Sequence, residues 1–136
     1  MKKRLFQVQF FALLLVATIS CTDHEIQKRP VIETGNLIWF SNHTSAFWIF
    51  AVNFVDLGNV PVVEYGVVYA KELPADGLTV NSPGVSVEKF TEPQIPVLGN
   101  VSQPNLLVPM SSLYYRAYAK LSDNTYIYGS KTLYFK

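Results

Sequence analysis

Nine residues constrain this chain more than any others. Leu113 to Leu121 reads LYYRAYAKL, with Leu113, Tyr115, Ala117, Ala119 and Leu121 at one parity and Tyr114, Arg116, Tyr118 and Lys120 at the other. A period of two is the side-chain repeat of a β-strand, whose successive residues point to opposite faces. The first set is expected in a core and the second on a wet sheet face.

The rest of the chain from Val31 agrees with that reading. Phe47 to Val55 (FWIFAVNFV) and Val62 to Ala70 (VVEYGVVYA) are rich in β-branched and aromatic residues, the composition of strands. Turn residues separate the runs: Asp56-Leu57-Gly58-Asn59, Ala75-Asp76-Gly77 and Asn81-Ser82-Pro83-Gly84. Val85 to Lys89 alternates as a short half-buried strand. Thr91 to Asn105 holds Pro93, Pro96 and Pro104, so it supports only edge or irregular pieces. Asp123-Asn124 is placed to turn Leu121 back into a closing strand over Tyr126 to Phe135. No convincing helix and no internal repeat is visible. Spaced strands over the 106 residues from Val31 to Lys136 predict one all-β antiparallel β-sandwich.

Three stretches resemble a known family. Glu64-Tyr65-Gly66-Val67-Val68-Tyr69-Ala70 resembles the third strand of fibronectin type III-like, immunoglobulin-like domains of bacterial cell-surface lipoproteins. Leu107-Val108-Pro109 followed by Tyr114-Tyr115-Arg116-Ala117-Tyr118-Ala119 resembles their L-x-P corner and penultimate strand. Tyr128 to Phe135 resembles their closing strand. The resemblance implies one such sandwich over residues 31–136. The stretch Leu78 to Asn105 departs from the pattern. So does the corner position, which by register falls on Leu113, with Tyr114 one residue late. Either the corner hydrogen bond is absent or the strand carries a bulge there.

The first twenty residues look like an address. Met1-Lys2-Lys3-Arg4 is basic, Leu5 to Ile19 is uncharged and mostly apolar, and small residues precede Cys21. That is the layout of a secretory signal, and the apolar run is shorter than the ~20 residues of a membrane-spanning helix. The sole cysteine at the break resembles the lipobox of bacterial lipoproteins, with Ser20 fitting and Thr18 departing from the usual Leu, Val or Ile. The resemblance implies lipidation of Cys21, whose thiolate is the nucleophile in lipid transfer. The alternative is a coincidental thiol in an ordinary signal peptide. Residues 21–30 are polar and end in Pro30, so they read as a flexible tether. Asp23 and Glu25 resemble surface-export signals of some Gram-negative lipoproteins, or are plain tether residues.

Composition removes several chemistries. The whole chain carries 11 basic and 10 acidic residues, and loss of Lys2, Lys3 and Arg4 leaves eight against ten. No basic surplus exists to bind nucleic acid or anionic lipid. One cysteine excludes an intramolecular disulfide and a cysteine-based zinc site. Only His24 and His43 are present, so a Ser–His–Asp arrangement would need His43 and distant partners. No calcium loop and no glycine-rich phosphate loop occurs. The expectation is therefore no enzyme and no cofactor or metal.

Aromatic residues are the remaining signal. Trp39, Phe40, Phe47, Trp48, Phe50 and Phe54 crowd the first third of the domain. Phe47, Ile49, Ala51 and Val55 oppose Trp48, Phe50, Val52 and Phe54 on one strand. One set fills the core, and the other is covered by a neighbour or exposed as a contact surface. Trp39, Trp48 and Tyr118 are the candidate ligand-binding residues. These features describe a lipoprotein of the cell envelope, tied to the outer membrane by lipid on Cys21. It presents a non-enzymatic binding or adhesion sandwich to a protein or glycan partner. A structural subunit or spacer of a larger envelope complex is the alternative.

Overall fold

The computed structural model describes residues 26–41, 46–105 and 112–136. Among the described residues, nine strands, all paired antiparallel, form two sheets: β1 Val31–Thr34, β2 Ile38–Ser41, β3 Ala46–Asp56, β4 Val62–Ala70, β5 Ser86–Lys89, β6 Gly99–Asn105, β7 Leu113–Leu121, β8 Tyr126–Tyr128 and β9 Leu133–Phe135. β1 and β2 lie end to end along one side of β3, and β6 pairs with its other side. In the second sheet the order is β5-β4-β7, with β8 and β9 end to end on the outer side of β7. The chain is an all-β sandwich whose connectivity is compatible with immunoglobulin and fibronectin type III domains.

The core lies between the sheets. Trp48, Phe50, Val52 and Phe54 from β3 meet Tyr65, Val67 and Tyr69 from β4 and Leu113, Tyr115, Ala117 and Ala119 from β7. Alternation thus selects the inner face in all three long strands. The predicted ranges of β4 and β7 coincide with those observed. Pro104 sits in β6, a strand whose only partner among the described residues is β3, where a missing N–H is tolerated.

Two departures have local causes. The predicted closing strand is broken between Tyr128 and Leu133. Tyr118 faces Tyr128 whereas Tyr115 faces Leu133, so three steps on β7 match five on the other strand. Thr34 of β1 occupies the break: its hydroxyl accepts the Ala117 N–H (3.1 Å) and donates to the Lys131 carbonyl (2.6 Å). The corner position shows no register shift at Leu113, which is fully buried. The neighbouring Tyr115 hydroxyl instead accepts the Leu37 N–H at 3.0 Å, tying β7 to the β1–β2 link. Leu107-Val108-Pro109 lies outside the described residues.

The face of β7 expected to be wet is covered. Residues 71–85 fold over the outer side of the second sheet, where Leu78 buries completely with Val68, Ala70 and Tyr118. Val80 and Val85 pack beside them, and the Val80 N–H donates to the Tyr128 hydroxyl at 3.2 Å. The expectation for Tyr118 is corrected accordingly, since it is buried under this cover segment.

The sandwich has two distinct poles. β3 runs from Ala46 at one pole to Asp56 at the other, ~35 Å for its 11 residues. The chain enters at the Asp56 pole, and its last tether residues are not free. Lys28 donates its N–H to Asn59 Oδ1 (2.6 Å), accepts the Asn59 N–H on its carbonyl (2.8 Å) and pairs with Asp56 (2.5 Å). Gly58 permits this: its φ is +58°, and a Cβ there would stand 2.2 Å from the Lys28 carbonyl oxygen. Pro30 is buried.

Candidate functional site

The far pole, where β2 ends and β3 begins, carries exposed aromatic surface. All four residues of β2 are exposed. Antiparallel register sets Ile38 opposite Ile49 and Phe40 opposite Phe47, on the side of the sheet away from the core. The Phe40 and Phe47 rings are 4.9 Å apart, and Pro104 of β6 continues the patch beside Ile49. Ile38 and Phe40 are 56% and 44% exposed. No charged residue occurs between Gly35 and Val55, so the patch has no ionic rim of its own strands.

The three candidate contact residues fall in different places. Trp39 is 39% exposed at the edge of the inner face, its ring 4.4 Å from Trp48 and tilted by 49°. Trp48 is in the core, 1% exposed, with Phe135 packed edge-on at 4.7 Å. Tyr118 is fully buried on the other side of the molecule. Buried in this way, Trp48 and Tyr118 present no ring to solvent, because β9 closes over the first and the cover segment over the second. The structure brings Trp39 and Trp48 together and keeps Tyr118 apart from them. Cys21, His24 and His43 lie outside the described residues.

The Tyr118 hydroxyl has a structural assignment. It donates to Glu64 Oε1 at 2.9 Å, and Lys89 Nζ donates to Glu64 Oε2 at 2.6 Å. Burial pushes the Glu64 carboxyl upward, but the hydrogen bonds from Lys89 and Tyr118 outweigh it and hold the group below its ordinary range. Burial first, then the bond to Glu64, pushes the Tyr118 hydroxyl far above the usual phenol range. Arg116 and Lys120 lie against tyrosine rings: the Arg116 guanidinium is 5.1 Å from the Tyr128 ring centre and Lys120 Nζ 5.8 Å from that of Tyr126. Arg116 also donates from Nε to the Gly129 carbonyl at 2.7 Å. These are cross-strand pairs of an ordinary sheet face.

The patch residues Ile38, Phe40, Phe47 and Ile49 are not among the three candidate contact residues. The signal was present in the parity of the aromatic run, since Phe47 and Ile49 oppose the inward set. Among the described residues, no helix is long and apolar enough to cross a membrane. Among them, no group of three or more His, Cys, Asp or Glu side chains stands together to hold a metal ion. Searches against protein-family models, curated proteins and solved structures find no match.

Proposed function

We propose that this chain is a lipid-anchored bacterial envelope protein whose sandwich, of the fibronectin type III-like kind found in cell-surface lipoproteins, is a non-enzymatic binding module. Acylated Cys21 ties it to the outer membrane, and the pole opposite the tether presents the contact face. The observation that carries this reading is the Ile38–Phe40–Phe47–Ile49 patch with Trp39 at its border. Monomeric domains rarely leave contiguous apolar faces of this kind open, and aromatic-rich patches of low charge resemble the centres of protein interfaces. A protein partner is favoured over a sugar ring, because Trp39 leans on Trp48 and aliphatic residues flank the Phe pair. The same face would serve a subunit of a larger envelope complex.

Two experiments test the proposal. Growth with an alkyne fatty acid should label the wild-type chain and leave Cys21→Ser unlabelled and released from membranes; equal labelling of the variant refutes the anchor. A photoreactive residue at Phe40 should give a discrete adduct on intact cells, while one at Asp76 gives none. Absence of any adduct from Phe40 counts against the binding face.

A further inference from the structure

The tether pole holds a second apolar feature, distinct from the contact face. The β5–β6 connection crosses there from one sheet to the other: the Phe90 N–H donates to the Tyr65 carbonyl at 2.9 Å, and Gly99 opens β6 opposite Phe54. Within it Pro96 is buried, whereas Ile95, Val97 and Leu98 are 78%, 51% and 64% exposed. Val55 and Val31, at the ends of β3 and β1, are half exposed at the same pole.

The loop is held rather than loose. The Tyr65 hydroxyl donates to the Pro93 carbonyl. Gln103 Oε1 accepts the Thr91 N–H at 2.8 Å, and its Nε2 donates to the Lys89 carbonyl at 3.2 Å. A loop anchored at residues 89–93 and by buried Pro96, which keeps Ile95, Val97 and Leu98 in water, is an apolar surface without a partner among the described residues.

Its position selects the partner. Ile26 is fixed at this pole through its carbonyl, which accepts from Asn59 Nδ2 at 3.1 Å. Cys21 is five residues upstream, a span of at most ~17 Å for extended chain. An acyl chain on Cys21 therefore holds this pole, and not the aromatic one, within reach of the bilayer. Residues 90–99 carry no basic side chain and one acid, Glu92, and the cations of this pole, Lys28 and Arg29, are paired with Asp56 and Asp123, so attraction to anionic headgroups is not the source of contact. Apolar insertion at the interface of an uncharged lipid is.

We infer that Ile95, Val97 and Leu98 form a second membrane contact, laid into the interface of the bilayer to which Cys21 is tied. The inference rests on the acylation proposed above. The two contacts together would set the sandwich upright, with the Phe40–Phe47 patch directed away from the lipid.

The test uses mature acylated protein in phosphatidylcholine vesicles, with a nitroxide on Ile95→Cys and, as reference, on Asp76→Cys. With Cys21 acylated, the introduced thiol is the only one free. The label at 95 should collide several-fold less with a water-soluble nickel chelate than the label at 76, and more with oxygen. Equal nickel access at both positions overturns the inference. Protection at 95 that appears without vesicles and grows with protein concentration also overturns it, because a second copy then covers the loop. Mass spectrometry of Cys21 separates the two proposals. If the cysteine is unacylated the anchor reading fails alone, and the label at 95 is then read on a Cys21→Ser chain mixed with vesicles. Protection there keeps the loop contact; none removes it.

Discussion

Replacing Tyr118 asks whether the cover segment is part of the fold or a removable flap. The side chain is fully buried between β7 and residues 71–85, among Val68, Ala70 and Leu78. Tyr118→Ala removes a whole aromatic ring from that cluster, a change that costs ~3–5 kcal/mol in packed sites. A domain of this size has ~5–15 kcal/mol in total. Tyr118→Phe keeps the ring and removes only the hydroxyl bonded to the Glu64 carboxylate. Hydrogen bonds to charged groups contribute ~1.5–3 kcal/mol, and the half-buried Glu64 can recruit water, so the lower end of that range is expected. The pH dependence follows from Glu64. Its folded-state pKa lies below the ordinary value of 4.5, so its contribution is complete above that pH and is lost as pH falls through the folded value. In the phenylalanine variant one of the two lowering bonds is gone, and the carboxyl moves upward. The gap between wild type and Tyr118→Phe should therefore be widest near neutrality and close in acid. Urea unfolding at neutral and acidic pH measures both variants. A Tyr118→Phe chain as stable as wild type at neutral pH, or a gap that widens in acid, would refute the network. A Tyr118→Ala loss below ~1 kcal/mol would refute the buried cover.

Four further substitutions probe the sandwich. Thr34→Val keeps the shape of the side chain but leaves the Ala117 N–H and the Lys131 carbonyl without their bridge, and should cost about 1–3 kcal/mol with faster amide exchange at Ala117. Gly66→Ala would place a Cβ 2.0 Å from the Glu88 carbonyl oxygen; β5 must shift, at about 1–3 kcal/mol, and exchange protection should fall along Ser86–Lys89 while that of β7 persists. Trp48→Ala should cost ~3–5 kcal/mol in thermal or urea unfolding. Trp39→Ala, at the solvent border of the same pair, should cost clearly less; equal losses would mean that Trp39 is as deeply packed as its neighbour.

The long strands were readable because their patterning is redundant. In β7, five inward positions agree, and in β4 β-branched and aromatic residues crowd nine positions. The short elements were not. β1 and β2 have four residues each, separated by Gly35, whose missing Cβ would lie 2.6 Å from that of Ala51. Four residues carry too few alternations to stand out from a loop. The closing strand reads as continuous because nothing between Tyr128 and Leu133 announces that Thr34, far away in sequence, will take its place on β7. The cover segment was opaque for a related reason. Leu78, Val80 and Val85 are sparse apolar residues among turns, with no period to assign them a face, yet they decide that Tyr118 is dry. Parity told which residues share a side of β7 and could not tell what lies over that side.

That distinction also separates folding from the proposed recognition at the aromatic pole. Parity divides the Trp39–Phe40 and Phe47–Trp48 neighbours between two environments: the tryptophans face the core margin and the phenylalanines face outward. Adjacent residues on one strand therefore serve different ends, and a substitution can address one without the other. Phe40 and Phe47 lean on each other across the strands and not on the core, so their loss removes a cross-strand pair worth ~0.2–1 kcal/mol. Trp48 supports β3, β9 and Trp39 at once. The proposed contact face, built on side chains so weakly coupled to the core, would change its partner by substitution while the sandwich beneath it stays intact.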